Sequence, residues 1–168
     1  PDYGNQRVMS YAPGASSGTL VAGGNGIGKN NTQFYNIIRL YFESSSNSLV
    51  ICNHGAHGIV RWILGANNWT LLAGNIDGTL GNNSTALRFP TDVIFDPMGN
   101  MYICDKDNHR IQFFIVGQSE AITIAGVTSV NGNTSTLLYQ PWSLKLDNQL
   151  NLYVADSQNH RIQKFVRY

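Results

Sequence analysis

The decapeptide Asp156-Ser-Gln-Asn-His-Arg-Ile-Gln-Lys-Phe165 restricts this chain more than any other feature, because it recurs. Asp105-Lys-Asp-Asn-His-Arg-Ile-Gln-Phe-Phe114 lies 51 residues upstream and Asn53-His-Gly-Ala-His-Gly-Ile-Val-Arg-Trp62 a further 52. Asp2-Tyr-Gly-Asn-Gln-Arg-Val-Met-Ser-Tyr11 lies 51 residues before that. Self-similarity at such a period means one supersecondary unit, repeated so that each copy buries its apolar face on its neighbour. Other anchors keep the same step: Gly23, Gly74 and Gly126 are 51 and 52 residues apart, and Glu43, Asp96 and Asp147 are 53 and 51 apart. The insertions fall in segments rich in Gly, Asn, Ser and Thr, as loops on a scaffold permit.

Within one unit the pattern is short strands separated by turn residues. Pro141 to Asp147 alternates, with Trp142, Leu144 and Leu146 expected on one side. Asn148 to Asn151 is a turn, Leu152 to Ala155 a strand covered on both faces, and Asp156 to His160 a second turn. Arg161 to Phe165 is a third strand, and Ala121 to Gly126 in the preceding unit supplies a fourth. Four short strands per unit, repeated radially, predict an all-β propeller arc of four-stranded antiparallel blades rather than a stacked solenoid. The expected division is a partial blade over 1–23, blades over 24–74 and 75–126, and a blade lacking its fourth strand over 127–168.

The run Asn-His-Arg-Ile, intact at 108–111 and 159–162, follows strands ending Tyr-Ile-Cys-Asp and Tyr-Val-Ala-Asp. With the upstream Pro, this resembles the NHL-repeat family of β-propellers. The 24–74 unit departs from the pattern, with Asn53 in place of Asp and His57-Gly58 in place of His-Arg, which puts an Asp–Arg contact there in doubt. The resemblance implies blades around a central channel, closing with about six. An arc of roughly three blades exposes unpaired edges. The chain is therefore expected to be a fragment of a longer propeller, or to assemble with a second copy.

The resemblance also sets aside Asp105, Asn108, His109, Arg110, Asp156, Asn159, His160 and Arg161 as structural motif residues. Both Asp carboxylates are expected to accept backbone N–H groups in their turns. Arg110 and Arg161 are placed to pair with them or with Asp96 or Asp147 of a neighbouring blade. A histidine repeated in every unit reads as blade packing, whereas His54 and His57, three residues apart, are the pair that could contribute to a metal site. No catalytic, cofactor-binding or metal-ligating residue is assigned. Cys52 and Cys104 occupy equivalent strand positions and read as buried small apolar groups. Trp62 is expected in inter-blade packing and Trp69 near a surface turn.

Charge narrows the function. Charged residues make up 12% and the net charge is +1, with no basic patch of the kind that phosphate neutralisation needs, so nucleic acid is a poor partner. No apolar run is long enough to span a membrane as a helix. Sequons stand at Asn30, Asn68, Asn82, Asn83 and Asn133, against roughly 2.6 expected from composition. This excess points to glycosylation and an extracellular setting. The leading expectation is a non-catalytic scaffold binding protein or peptide through the face where the linkers 24–36, 75–88 and 127–139 meet the turns 53–57, 105–109 and 156–160. The alternatives are a metal-dependent lyase or hydrolase with its site in the channel, as the amidating lyase of peptide hormones suggests, and an RNA-binding module.

Overall fold

The computed structural model describes residues 1–166. Its strands are β1 (Arg7–Ser10), β2 (Thr19–Gly23), β3 (Ile37–Glu43), β4 (Ser48–Asn53), β5 (Gly58–Ile63), β6 (Thr70–Ala73), β7 (Pro90–Phe95), β8 (Met101–Asp105), β9 (Arg110–Phe114), β10 (Ile122–Gly126), β11 (Pro141–Leu146), β12 (Leu152–Asp156) and β13 (Arg161–Phe165). They form four antiparallel sheets in simple meander order: β1-β2, β3-β4-β5-β6, β7-β8-β9-β10 and β11-β12-β13. Each sheet is a blade or part of one, and the protein is an arc of a β-propeller. A fourth strand after Phe165 would involve Arg167 and Tyr168, which lie outside the described residues.

The period of about 51 residues works because consecutive sheets bury their faces on each other. Among the described residues there are three apolar cores, and each joins two neighbouring sheets. Val8 and Ala22 pack with Phe34, Ile51, Val60 and Trp62. Val50, Cys52 and Ile59 pack with Leu87, Val93 and Ile103. Cys104 and Ile111 pack with Leu138, Leu144 and Val154. Fully burying such side chains is worth about 1.5–3 kcal/mol each, so the fold's stability lies between blades. Position in the arc is visible in single residues. Ile59 and Ile111 are completely buried, whereas their equivalent Ile162 is 68% exposed because no later blade covers it. For the same reason β4 is buried along its whole length, while Tyr153 and Ala155 of β12 are only half-buried.

Two expectations about tryptophan fail. Trp142 does not share a face with Leu144 and Leu146, because the β11–β12 register shifts between Pro141 and Ser143. Trp142 sits at this β-bulge and is 49% exposed, whereas Thr91 at the equivalent bulge is 3% exposed and donates to Pro141 O of the next blade. The equivalent shifts in β3 and β7 fall at Ile38 and Thr91. Trp69 is not at the surface; it is 5% exposed, and its indole N–H donates to Gln33 O at 2.8 Å. Trp62 does pack between blades, its ring centroid 5.6 Å from that of Phe34. Both cysteines are buried and unpaired, and burial pushes both thiols well above the ordinary range.

The repeated glycines have a common cause. Gly23, Gly74 and Gly126 all have positive φ, and a Cβ there would lie 2.2–2.6 Å from a backbone carbonyl oxygen, that of Gln6, His57 and His109 respectively. Only glycine lets the outer strand end against the turn before its neighbouring third strand.

Candidate interaction face

At the turn between the second and third strands the motif makes a clamp rather than a local cap. Asp105 is fully buried at the end of β8. Its Oδ1 accepts the N–H of Arg88 at 2.7 Å, and its Oδ2 accepts from Asn108 Nδ2 and Arg110 Nε, each at 2.8 Å. The N–H groups bound by Asp105 and Asp156 thus come from the linker before the blade's first strand, not from their own turns. Burial raises the Asp105 carboxyl above the ordinary carboxylate value, and the bonds from Asn108, Arg88 and Arg110 pull it back.

Arg110 spends its remaining N–H groups on that linker. It donates to the carbonyls of Asn82, Asn83 and Ala86 at 2.8–3.1 Å and to Thr128 Oγ1, while Asn108 donates to Gly81 O. The last complete motif repeats this: Asp156 accepts from Tyr139 N, Asn159 and Arg161, and Arg161 donates to Asn133 O, Thr134 O and Leu137 O. Asn159 donates to Gly132 O. Asp96 and Asp147 do not pair with these arginines. They close the opposite ends of their blades, accepting N–H groups from Met98 and Asn100, and from Gln149 and Asn151.

The first unit carries the ion-pair part of the clamp: Arg7 Nε donates to Asp2 at 2.8 Å and Asn5 to the same carboxylate. The signal was the five-residue step from Asp to Arg, shared by 2–7, 105–110 and 156–161. The second unit lacks it. Asn53 Oδ1 still accepts the N–H of Tyr35 at 2.8 Å, but Asn53 Nδ2 is buried without a partner, and Arg61 pairs with Glu43 instead.

The histidine position links neighbouring blades. Gln6, His57, His109 and His160 all sit in the left-handed region, with φ of 51–58°. His57 Nδ1 accepts the N–H of Phe89 at 3.3 Å, and His109 Nδ1 that of Gln140 at 3.2 Å. Gln6 Oε1 does the same for Asn36 N at 2.6 Å. Each donor is the residue preceding the next blade's first strand, and each also has positive φ. Burial holds His57 and His109 below the ordinary histidine range. His160 lies in the last described blade, and its ring is exposed. His54 Nδ1 lies 3.0 Å from Pro90 O, which accepts its proton. The pair considered for a metal therefore uses both Nδ1 atoms on backbone groups. Among the described residues no three His, Cys, Asp or Glu side chains converge to hold a metal.

What remains at the surface of this face is the loop tips. Asn30, Asn82, Asn83 and Asn133 are exposed in the linkers, while Asn68 is exposed at the opposite end of its blade, in the turn between β5 and β6. Neighbouring linkers touch directly, through Lys29 Nζ to Gly78 O at 2.8 Å and Asn82 Nδ2 to Ser129 Oγ at 3.4 Å. The face mixes amides and hydroxyls with exposed Ile27, Ile76, Leu80, Val127 and Val130, carries few charges, and is held from beneath by the arginine clamps.

Comparison with known proteins agrees with this geometry. The family description "NHL repeat" matches residues 87–114 and 138–165, the two units with the intact clamp. The chain is 31% identical over 134 residues to human "NHL repeat-containing protein 2", an alignment covering 74% of this chain and 18% of that protein. An auxiliary nutrient binding protein from Bacteroides ovatus superposes with a TM-score of 0.71 at 18% identity, over 96% of this chain and 43% of that one. A streptogramin B lyase superposes at 0.61 with 13% identity, over 99% of this chain and 47% of the lyase. The chain spans about a fifth of the curated relative and less than half of either structure. At these identities the structures speak to the fold alone.

Proposed function

Taking this chain as an arc of an NHL-repeat β-propeller, we propose that it is a non-catalytic scaffold that binds a protein or peptide through its loop face. The observation that carries this reading is where the motif's chemistry goes. Asp105, Asn108 and Arg110, with Asp156, Asn159 and Arg161, are spent holding the linkers 81–86 and 132–137 in place. A surface whose loops are already ordered loses little entropy on binding. Its amides and hydroxyls suit hydrogen bonding to a neutral polypeptide surface better than electrostatic capture of a polyanion.

The same reading places further blades, from the parent chain or a second copy, beyond the exposed Ile162 face and the open edge of β13. The exposed sequon asparagines fit N-glycosylation and an extracellular setting, with glycans on the linkers. The test is a partner pull-down with Asn82→Ala, Asn131→Ala and Thr136→Ala, alone and combined. Loss of a partner that the unmodified protein retains supports the reading. Retention of every partner by the combined variant overturns it.

A further inference from the structure

The first strand of each blade lines the propeller's channel, so equivalent positions of β3, β7 and β11 stand side by side around it. Arg39, Asp92 and Ser143 are such a set, opposite Cys52, Cys104 and Ala155 in their own sheets. They form a belt. Arg39 Nε donates to Asp92 Oδ1 at 3.1 Å, and Ser143 Oγ donates to Asp92 Oδ2 at 2.6 Å. The backbone N–H groups of Val93 and Leu144 complete the carboxylate's shell at 3.0 and 3.2 Å. Asp92 is buried and all but saturated, so it is an anchor and not a ligand-binding group.

Arg39 is different. Its side chain is 49% exposed, and only Nε is engaged. Both terminal nitrogens point to no acceptor among the described residues, so the planar end of the guanidinium is held still by Asp92 and left open. Two positions further along the same strands stand Tyr41, Ile94 and Lys145. With Arg39 they line a recess of about 350 Å³. Lys145 has no hydrogen-bond or ionic partner among the described residues. The exposed Trp142 borders a smaller hollow on the other side of Arg39.

We propose that this recess binds a carboxylate. The terminal N–H pair of Arg39 matches two carboxylate oxygens in a fork, and Lys145 supplies a point charge beside it. The Tyr41 ring and Ile94 cover the apolar body that carries the acid. Pro1 also borders the recess, and among its side chains Asp92 cancels one of the two cations, leaving a single excess positive charge that suits a monoanion better than a phosphate dianion. The carboxylate can belong to a free small acid or to a peptide, and the site stands independently of the loop-face reading.

The probe is N-acetyl-leucine against its uncharged amide, titrated into the purified protein and followed by calorimetry and by the emission of exposed Trp142. The acid is expected to bind at least about tenfold more tightly than the amide. Arg39→Gln and Lys145→Gln should each weaken the acid at least about fivefold. Lys145→Gln breaks no contact in the fold, so it remains informative if Arg39→Gln is unstable. Equal binding of acid and amide, no binding of the acid, tighter binding of inorganic phosphate, or wild-type affinity in Lys145→Gln would each overturn the site. A tripeptide with a free C-terminus that outbinds both acetyl-leucine and its own C-terminal amide assigns the carboxylate to a peptide; otherwise it is a small acid. Asn82→Ala should leave this binding unchanged, which separates it from failure of the loop face.

Discussion

The His109 ring accepts the backbone N–H of Gln140 across the boundary between two blades, 3.2 Å from nitrogen to nitrogen. Gln6 does the same for Asn36 with an amide oxygen. The job is therefore acceptance at a fixed place, not imidazole chemistry. His109→Ala should lose about 1–2 kcal/mol, through an orphaned N–H and lost contact with Tyr139, whose ring lies edge-on at 5.6 Å. His109→Gln should lose less, within about 1 kcal/mol. Urea unfolding of both variants measures the difference.

Acid should weaken the protein through these same rings. An imidazolium carries a proton on both nitrogens, so it cannot accept at Nδ1. His57 and His109 are held below the ordinary histidine value by burial, and so is His54. The unfolded chain therefore binds protons first as pH falls. Their contribution is complete above the ordinary value of about 6.5 and is lost as pH drops through the lowered folded values. Thermal midpoints between pH 8 and 5 should fall along that course, and the double variant His57→Gln, His109→Gln should show a shallower slope.

The clamps should differ in worth according to burial. The Arg110 side chain is 3% exposed, against 30% for Arg161. Asp105→Ala leaves a buried guanidinium without its counter-ion and should cost about 3–5 kcal/mol. Asp156→Ala should cost less, because water reaches Arg161. Asp105→Asn should fall below Asp105→Ala, since Asn53 already holds the equivalent N–H of Tyr35. Equilibrium denaturation of the three variants tests the order.

Gly126 and Gly117 have nearly the same φ, +78° and +81°, but different surroundings. A Cβ on Gly117 meets nothing within 4 Å, whereas one on Gly126 would lie 2.2 Å from His109 O. Gly117→Ala should lose about 1 kcal/mol from backbone strain. Gly126→Ala should lose clearly more, because β10 must move off the turn that presents His109. The comparison by denaturant titration isolates the steric part.

The tryptophans should separate cleanly. Trp69→Ala should cost about 3–5 kcal/mol, as removal of a buried indole does. Trp142→Ala should stay within about 0.5 kcal/mol, since the residue is 49% exposed and Lys106 Nζ lies 6.0 Å from its ring. Loss of the red-shifted part of the emission in Trp142→Ala provides an independent check.

Much of this protein follows from residue order alone. The step of about 51 residues, the strand alternation and the glycine, proline and asparagine breaks dictate short strands in repeated units. Their apolar faces can be buried only against the next copy. The strand positions came within a residue or two of those observed for this reason, since local periodicity and turn chemistry act over a few residues. The five-residue step from Asp to Arg likewise marked the clamp, and its breakdown at Asn53.

Tertiary structure decided what those residues hold. His109 meets Gln140, 31 residues away, and Asp92 joins residues 53 positions upstream and 51 downstream. Nothing local states which acceptor faces which N–H across a blade boundary. The bulge at Trp142 is likewise a property of strand pairing, invisible to alternation within one strand. Trp69 looked like a surface residue beside two asparagines, but the linker before its own blade's first strand folds over it and accepts its indole N–H. Sequence set the faces that must be covered; only packing of one blade on the next settled what covers them and which polar groups remain open.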